Sequence, residues 1–254
     1  MQVDLNADMG EGFGIYRVGE DEALLQYVTS ANIACGFHAG DPSVIRRTVQ
    51  LCLQRGVAVG AHPGLPDLVG FGRREMAISP EEVGDLVLYQ VGALKSVTEA
   101  EGGRLHHVKP HGALYNMAVK RKELAEAIVG AIRLLDPKLM LYAPPGSCLA
   151  VEAERAGIRC AFEAFADRSY RADGTLVPRG EPGAVIQNTE QAVAQAMSIV
   201  RHGRVNVQEG TQIPLRGDTI CIHGDGENAL ELARALRTAF ERDGVSVRPP
   251  GEAE

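Results

Sequence analysis

The sequence predicts an α/β protein, an irregular (β/α) barrel of seven or eight strands formed by one domain over residues 1–254. Two observations predict this fold. Short apolar runs alternate with helical patterns along the chain, and nearly every apolar run ends in a polar cluster. Alternation of this kind indicates a parallel sheet, whose ligands gather at the carboxyl ends of the strands. Six such clusters favour a closed barrel, which brings all strand ends around one mouth.

The composition is typical of a soluble globular protein, with 45% hydrophobic and 23% charged residues. No apolar run approaches the roughly 18 residues that a membrane span requires, and the first residues lack the pattern of a signal peptide. We therefore expect a cytoplasmic protein. The five cysteines are scattered without a Cys-x-x-Cys pair, which indicates neither a disulfide framework nor a thiolate zinc site. A net charge of -7 without a basic run argues against a nucleic-acid partner.

The first strand is expected over residues 2–5, followed by an acidic, glycine-rich loop over 6–14 that carries Asn6, Asp8 and Glu11. Asp and Gly are common in solvated turns. Asp8 could instead act as a metal ligand, a general base or a hydrogen-bonding group. Both interpretations remain open. A short helix is expected over residues 20–28.

The second strand, over residues 28–34, leads into a turn of small residues that carries His38. Glycines in this turn would let the backbone approach a ligand closely. Asp41 as N-cap and Pro42 at the first helical position predict a helix to about residue 55, with Gly56 as its C-cap. The alternatives are that His38 is a hydrogen-bonded turn residue and that Asp41 is only a cap.

The third strand, over residues 57–61, ends at His62, which follows its strand as His38 follows the second. The loop over 65–78 carries Arg73 and Arg74, which could bind an anionic ligand, although surface arginines are commoner than ligand-binding ones. A capping box at 79–82 predicts the start of a long helix.

The fourth strand, over residues 105–108, contains His106 and His107, which face opposite sides of a strand and are expected to be structural. It runs into Lys109 and His111, which flank a proline. The lysine could neutralise a phosphate or carboxylate, and the histidine could transfer a proton.

The second half of the chain continues the alternation. Helices are predicted over about 123–135, 147–156 and 188–202 and around Leu232, Leu236 and Phe240; strands are predicted over 139–142, 158–162, 217–222 and 245–247. The irregular stretch over 171–187 is interpreted as a lid, since loops of this length are usually functional or disordered. A frayed tail is expected from about residue 249.

The last two polar clusters are Glu163, Asp167 and Arg168 after the strand over 158–162, and His223 and Asp225 after the strand over 217–222. Residues 224–229, which overlap the second cluster, match the Gly-x-Gly-x-x-Ala pattern of dinucleotide-binding proteins. We discount this match because its acidic residues would lie beside a pyrophosphate, and because too little chain follows to complete a dinucleotide-binding unit. The chain also lacks the Gly-Lys pair of a P-loop.

Four blocks resemble the signature motifs of the LamB/YcsF family: DLNADMGE (4–11), NIACGFHAGD (32–41), KPHGALY (109–115) and FADRSY (165–170). The likeness runs from about Val3 to Asp225. One departure is Gly226-Glu227-Asn228, where the family usually carries Asn-Pro after His-Gly-Asp. This departure weakens the assignment of a role to the turn after the strand over 217–222, although His223 and Asp225 themselves match.

The resemblance implies a barrel similar to those of glycoside hydrolases and polysaccharide deacetylases. It also implies ATP-dependent hydrolysis of the lactam 5-oxo-L-proline (pyroglutamate) to L-glutamate, with ATP as cosubstrate together with Mg²⁺, and with the separate B and C subunits of 5-oxoprolinase as partners. Whether the protein itself binds a metal stays open.

The expected site residues follow from this resemblance and from their positions beyond the strands. The expected catalytic residues are Asp8, His38, Lys109, His111, Asp167 and Arg168. The expected substrate-binding residues are Asn6, Glu11, Asp41, His62, Glu163, His223 and Asp225. Asp8 and His38 are assigned to a base or a metal, Lys109 and Arg168 to anionic groups, and His111 to proton donation.

Two other functions fit the same residues. The first is a stand-alone metal-dependent amidase or deacetylase with Asp8, His38 and His62 as ligands, since carboxylate and imidazole suit zinc or a similar ion. The second is a non-catalytic component of a complex that binds the substrate while its partners perform the chemistry.

Overall fold

The structure, a computed structural model, describes residues 1–222 and 228–251. In chain order the strands are β1 (Gln2–Met9), β2 (Ser30–Ala34), β3 (Ala58–His62), β4 (Leu105–Val108), β5 (Met140–Ala143), β6 (Cys160–Phe165), β7 (Arg204–Asn206), β8 (Gln212–Pro214), β9 (Thr219–Ile222) and β10 (Ser246–Val247). The helices are α1 (Asp21–Leu24), α2 (Pro42–Arg55), α3 (Pro80–Ala100), α4 (Gly112–Lys120), α5 (Lys122–Leu135), α6 (Cys148–Arg155), α7 (Thr189–His202) and α8 (Ala229–Arg242).

Seven of the described strands, β1 to β6 and β9, form a closed parallel barrel. Each of β1 to β5 pairs with the next, and β9 pairs with β6 on one side and with β1 on the other. The short strand β10 pairs with the start of β1. This closure confirms the predicted barrel. None of the helices in the described residues is both long and apolar enough to cross a membrane.

Local signals in the sequence account for several helix ends. Asp41 accepts hydrogen bonds from the N–H groups of Ser43 and Val44 at the start of α2, and Gly56 ends that helix with φ at 67°. Ser79 and Glu82 form the capping box of α3, which satisfies N–H groups that the first turn leaves unpaired. These three boundaries lie where the sequence predicts them.

Other elements differ from the predictions. Strand β1 continues to Met9, so that Asn6 and Asp8 belong to a strand rather than to a flexible loop. Glu163 lies within β6, not after it. Helix α4 and the antiparallel β7–β8 hairpin were not predicted.

The expected tail is held by hydrogen bonds where it leaves β10. The carbonyl of Pro249 accepts from the side chain of Gln2, and that of Pro250 pairs with a ring nitrogen of His106. Residues 252–254 lie outside the described part of the chain.

The interior of the barrel is polar along one side of β1. Asp4, Asn6 and Asp8 alternate with apolar residues, and Asp4 and Asn6 are fully buried. The hydroxyl groups of Thr29, Ser30, Tyr142 and Thr219 all donate to Asp4. Burial raises the pKa of Asp4, and these hydrogen bonds oppose that rise. The strand thus carries a row of acceptors from the base of the barrel to its mouth.

Candidate active site

A cavity of about 510 Å³ opens at the carboxyl ends of the barrel strands. Its deep wall is formed by Asp8, His62, Lys109, His111 and Glu163, all of which the sequence predicts as site residues. The structure therefore brings residues at the ends of β1 and β3 together with the cluster after β4 and the acidic residue of β6, as a closed barrel requires.

Lys109 lies at the centre of this wall and is buried. Its Nζ is 3.0 Å from Asp8 Oδ1, 2.8 Å from Glu163 Oε1, 3.2 Å from Asn6 Oδ1 and 3.0 Å from Cys221 Sγ. Burial opposes its charge, but Asp8, Cys221 and Glu163 outweigh burial and raise the pKa of Lys109 well above its usual value.

An ammonium group has three protons, and Lys109 Nζ donates to Asn6 Oδ1, Asp8 Oδ1 and Cys221 Sγ, while Glu163 Oε1 lies at ion-pair distance. These contacts use the protons of Lys109 in this structure, and its expected role at anionic groups of a ligand stays a prediction. Lys109 holds two carboxylates in place, and Asn6, whose substrate-binding role also stays a prediction, accepts its hydrogen bond inside the barrel.

Asp8 is oriented by groups on neighbouring strands. Its Oδ1 accepts from Asn32 Nδ2 at 2.9 Å and from Lys109, while its Oδ2 lies 3.4 Å from His62 Nε2. Asn32 is held in turn by His107, whose Nε2 is 2.8 Å from its Oδ1. One carboxylate oxygen is thus fixed by the barrel, and the other faces the histidine and the cavity.

Sequence reasoning missed Asn32 as part of the site. Its signal was the strict alternation of polar and apolar residues along β1, which places Asp8 beside Asn32 in the parallel register of β1 and β2.

Three histidines pack together beside Asp8. His62 Nδ1 lies 2.7 Å from the carbonyl oxygen of Lys109, and His62 Nε2 lies 2.9 Å from His111 Nδ1. His111 Nε2 lies 2.8 Å from the carbonyl oxygen of Phe71. The ring of His38 stacks on that of His111, with centroids 3.7 Å apart.

The expected proton-donor role of His111 stays a prediction. Burial lowers the pKa of His111 to about 3 and that of His38 well below its usual value. The ring proton on His111 Nε2 is directed at a backbone carbonyl in this structure rather than at the cavity.

Glu11 completes the histidine cluster. Its Oε1 lies 3.8 Å from His38 Nε2 and 3.9 Å from His111 Nδ1. Ligand atoms of Glu11, His38, His62 and His111 all lie within 4.8 Å of one another, close enough to hold one metal ion. The sequence-based ligand set of Asp8, His38 and His62 stays a prediction; in the structure Glu11 and His111 lie beside the two histidines, and Asp8 Oδ1 pairs with Lys109.

Glu163 is shared between Lys109 and Tyr115, whose hydroxyl donates to Glu163 Oε2 at 2.7 Å. Tyr115 was not assigned a role from the sequence. It lies in the first turns of α4, a helix that was not predicted, so its direction into the barrel could not be inferred.

Two further expected residues make contacts within the protein, and one of them, Arg168, also lines the cavity. Asp41 caps α2 and also accepts from the N–H of Gly14 at 2.7 Å, and its substrate-binding role stays a prediction. Arg168 donates to the carbonyl oxygens of Val177 and Ala184, and burial lowers its pKa to about 10. Asp167 is not among the residues that line the cavity. His223 and Asp225 lie outside the described residues.

Arg168 instead anchors the irregular stretch over 171–187, which the sequence predicts to be a lid. Residues 173–179 of this stretch form one wall of the cavity. The exposed cations Arg73, Lys120 and Arg179 surround the opening, and the loop that carries Arg73 was predicted to offer cations. Arg74 pairs with Asp67 outside this cavity.

Comparison with known proteins yields close matches over nearly the whole chain. The model of the LamB/YcsF family matches residues 3–254. A protein of Brevibacillus brevis, named as the A subunit of 5-oxoprolinase, is 56% identical over 245 residues, which is 96% of each chain. The crystal structure of a lactam utilization protein from Thermus thermophilus is 52% identical, with a TM-score of 0.93 over 98% of this chain and 99% of that one.

A more distant match concerns the fold alone. The polysaccharide deacetylase Bc1974 from Bacillus cereus is 10% identical, with a TM-score of 0.50 over 98% of this chain and 93% of that one. This similarity agrees with the predicted deacetylase-like barrel.

Proposed function

This chain belongs to the LamB/YcsF family, and on that premise we propose that it acts, with B and C partner subunits, in the ATP-dependent hydrolysis of 5-oxo-L-proline to L-glutamate. The observation that carries the proposal is its near full-length similarity to proteins named as the A component of 5-oxoprolinase. The geometry of the cavity supports the hydrolytic half of the reaction.

A five-membered lactam amide is unreactive, and its hydrolysis is thermodynamically poor. Transfer of the terminal phosphoryl group of ATP to the amide oxygen provides both a leaving group and a driving force. Water then attacks the activated carbon, the ring C–N bond breaks, and a second water releases phosphate, giving glutamate, ADP and phosphate. Such a reaction needs a base for water and positive charge near the developing anion.

Asp8 is the residue best placed to be the base. Its Oδ1 is held by Asn32 and Lys109, its Oδ2 lies beside His62, and the residue lines the cavity. The adjacent ammonium of Lys109 favours the carboxylate over the carboxylic acid. An ionised and oriented carboxylate can accept a proton from a water molecule bound in the cavity.

The cations at the opening are placed to bind anions. Arg73, Lys120 and Arg179 are exposed and line the same cavity, so they can attract the carboxylate of 5-oxoproline or a phosphate group. The buried Lys109 does not share this role, because its neighbours already occupy its protons.

The test is release of glutamate and phosphate from 5-oxoproline and ATP by the chain alone and by the chain with its B and C partners. We expect turnover only in the mixture, with one phosphate per glutamate. Asp8→Asn should lower kcat by about 10² to 10⁴, the usual contribution of a positioned base. The matched control Asp85→Asn, on the exposed face of α3, should keep full activity.

The same assay separates the alternatives. The cluster of Glu11, His38, His62 and His111 favours a metal-dependent amidase as second candidate, and glutamate release by the chain alone without ATP would support it instead. If Asp8→Asn raises KM but spares the maximal rate of the mixture, the chain only binds the substrate for its partners, and the catalytic proposal fails.

A further inference from the structure

We propose that Glu11, His38, His62 and His111 bind one divalent transition-metal ion of the type that prefers imidazole ligands, such as Zn²⁺. These four buried residues follow or end β1, β2, β3 and β4, and their ligand atoms lie within 4.8 Å of one another. The inference concerns the ion alone and does not depend on the proposed substrate.

Backbone carbonyls fix the tautomers of two of the histidines. The carbonyl oxygen of Lys109 can only accept, so His62 Nδ1 must carry the proton and His62 Nε2 has a free lone pair. The carbonyl of Phe71 likewise places the proton of His111 on Nε2 and leaves Nδ1 with a lone pair. These two lone pairs face each other at 2.9 Å. They repel unless a cation lies against both.

His38 presents a second, independent observation. Its ring is 1% exposed, yet neither ring nitrogen has a hydrogen-bond partner within the described part of the chain. A proton shared between His62 and His111 would relieve their repulsion but would leave His38 unpartnered. A metal ion bound by His38 Nε2, His62 Nε2, His111 Nδ1 and Glu11 Oε1 gives a partner to His38 Nε2 and separates the two facing lone pairs of His62 and His111.

The distances are compatible with such an ion. The ring nitrogens of His62 and His111 are 2.9 Å apart, and Glu11 Oε1 is 3.8 Å and 3.9 Å from its histidine neighbours. Tetrahedral ligands about 2.0–2.1 Å from Zn²⁺ lie roughly 3.3 Å from one another. The rings of His38 and His111 are stacked, so one of them must also rotate for both to direct a nitrogen lone pair at the same ion.

The donor set also determines the class of ion. Three imidazoles and one carboxylate suit Zn²⁺ and neighbouring transition metals, whereas Mg²⁺ prefers oxygen ligands and water. The site is thus distinct from one for the Mg²⁺ that accompanies ATP. The carbonyls of Lys109 and Phe71 supply the outer hydrogen bonds that orient metal-binding histidines in proteins.

Two glycines hold the rings in position. A Cβ at Gly64 would lie 2.4 Å from His38 Nδ1, and one at Gly72 would lie 2.7 Å from His38 Cβ. The backbone therefore packs directly against the His38 side chain.

The experiment uses the full chain without a histidine tag. Metal content is measured by mass spectrometry after purification. The protein is then stripped with a chelator and titrated with Zn²⁺ and with Co²⁺, whose visible absorption reports nitrogen coordination. We expect one ion per chain, a Co²⁺ spectrum that Zn²⁺ abolishes, and a higher melting temperature with metal, because the ion joins four strand ends.

Variants locate the ion. Glu11→Gln and His38→Gln should each weaken Zn²⁺ binding by more than about 100-fold. Loss of a group that only hydrogen-bonds to a metal ligand costs up to about 100-fold, and loss of a ligand itself should cost more. The matched control His202→Gln, exposed at the end of α7, should bind as the unaltered chain does. Circular dichroism checks that each variant folds. The proposal is overturned if the unaltered chain binds neither Zn²⁺ nor Co²⁺, or if folded Glu11→Gln and His38→Gln bind both ions unchanged.

Discussion

At the scale of single residues, Lys109 balances the charge of the barrel mouth. Its ammonium group is the buried cation between Asp8 and Glu163. Lys109→Met therefore leaves both carboxylates without their counterion in a buried site. We expect the free energy of unfolding to fall by about 3–5 kcal/mol, as measured by urea denaturation.

Two comparisons test this explanation. Lys122→Met breaks an exposed pair with Glu126 and should leave stability nearly unchanged. Adding Asp8→Asn and Glu163→Gln to Lys109→Met should restore part of the loss, because the uncompensated charges are removed. A triple variant no more stable than Lys109→Met alone would show that packing, not charge, explains the effect.

Gly60 is a second residue of interest, because its role depends on the absence of a side chain. A Cβ at this position in β3 would lie 2.0 Å from His107 Nε2, the atom that pairs with Asn32. Gly60→Ala should therefore displace His107 and lower the free energy of unfolding by about 1–3 kcal/mol.

The matched control is Gly130→Ala in α5, where an added Cβ meets nothing within 4 Å. It should stabilise the protein by about 0.5–1 kcal/mol, because alanine favours the helix. If Gly60→Ala behaves like Gly130→Ala in thermal unfolding, the contact with His107 does not constrain the barrel.

At the scale of elements, the sequence was sufficient to predict helix ends that depend on hydrogen bonds between neighbouring residues. The caps at Asp41 and Ser79 and the C-cap Gly56 are local signals, and the structure has them as predicted. The predicted first strand ends at residue 5 because the next inward residues, Asn6 and Asp8, are polar, which contradicts the usual pattern of an apolar interior.

Other elements were hidden for different reasons. Helix α4 begins at Gly112, directly after a proline-containing turn, and so resembles a loop in sequence. Strands β7 and β8 have three residues each, too few for alternation to be detected. The position of Glu163 inside β6 depends on pairing with β5 and β9, which is tertiary information.

The N-terminus of α2 permits a test at this scale. Asp41 accepts from N–H groups of the helix and of Gly14, and these hydrogen bonds, led by that from Gly14, lower its pKa. Asp41→Ala should destabilise the protein, and Asp41→Asn, which keeps a capping oxygen, should do so less.

The effect should depend on pH in a defined direction. Because the folded-state pKa of Asp41 is lowered, its contribution is present above the unfolded-state value of 3.8 and is lost as pH falls through the folded-state value. Urea unfolding of the unaltered chain and of Asp41→Ala should therefore differ at neutral pH and converge in acid. A difference that stays constant with pH would contradict an ionic cap.

At the scale of the whole molecule, the site depends on closure of the barrel. The groups around Lys109 come from β1, β6 and β9, and β9 joins the two ends of the sheet. The sequence predicted that polar clusters would converge, since that follows from topology. It did not predict which side chains would pair, because those contacts join residues as far apart as Asn6 and Thr219.

Closure also leads to an expectation about unfolding. A parallel barrel whose last strand pairs with its first cannot lose one strand without exposing the faces of its neighbours. We therefore expect a single cooperative transition, with helix content by far-ultraviolet circular dichroism and tyrosine signals by near-ultraviolet circular dichroism changing together. The chain has no tryptophan, so buried tyrosines such as Tyr142 report the barrel interior.

A variant at the closing strand makes the test specific. Ile220→Ala removes a fully buried side chain from β9 and should lower the free energy of unfolding by about 2–5 kcal/mol. Both signals should shift to the same new midpoint, because β9 holds the two ends of the sheet together. Val69→Ala, at a side chain that is 92% exposed, should shift neither. Separate midpoints for helices and tyrosines would mean that part of the chain folds independently of barrel closure.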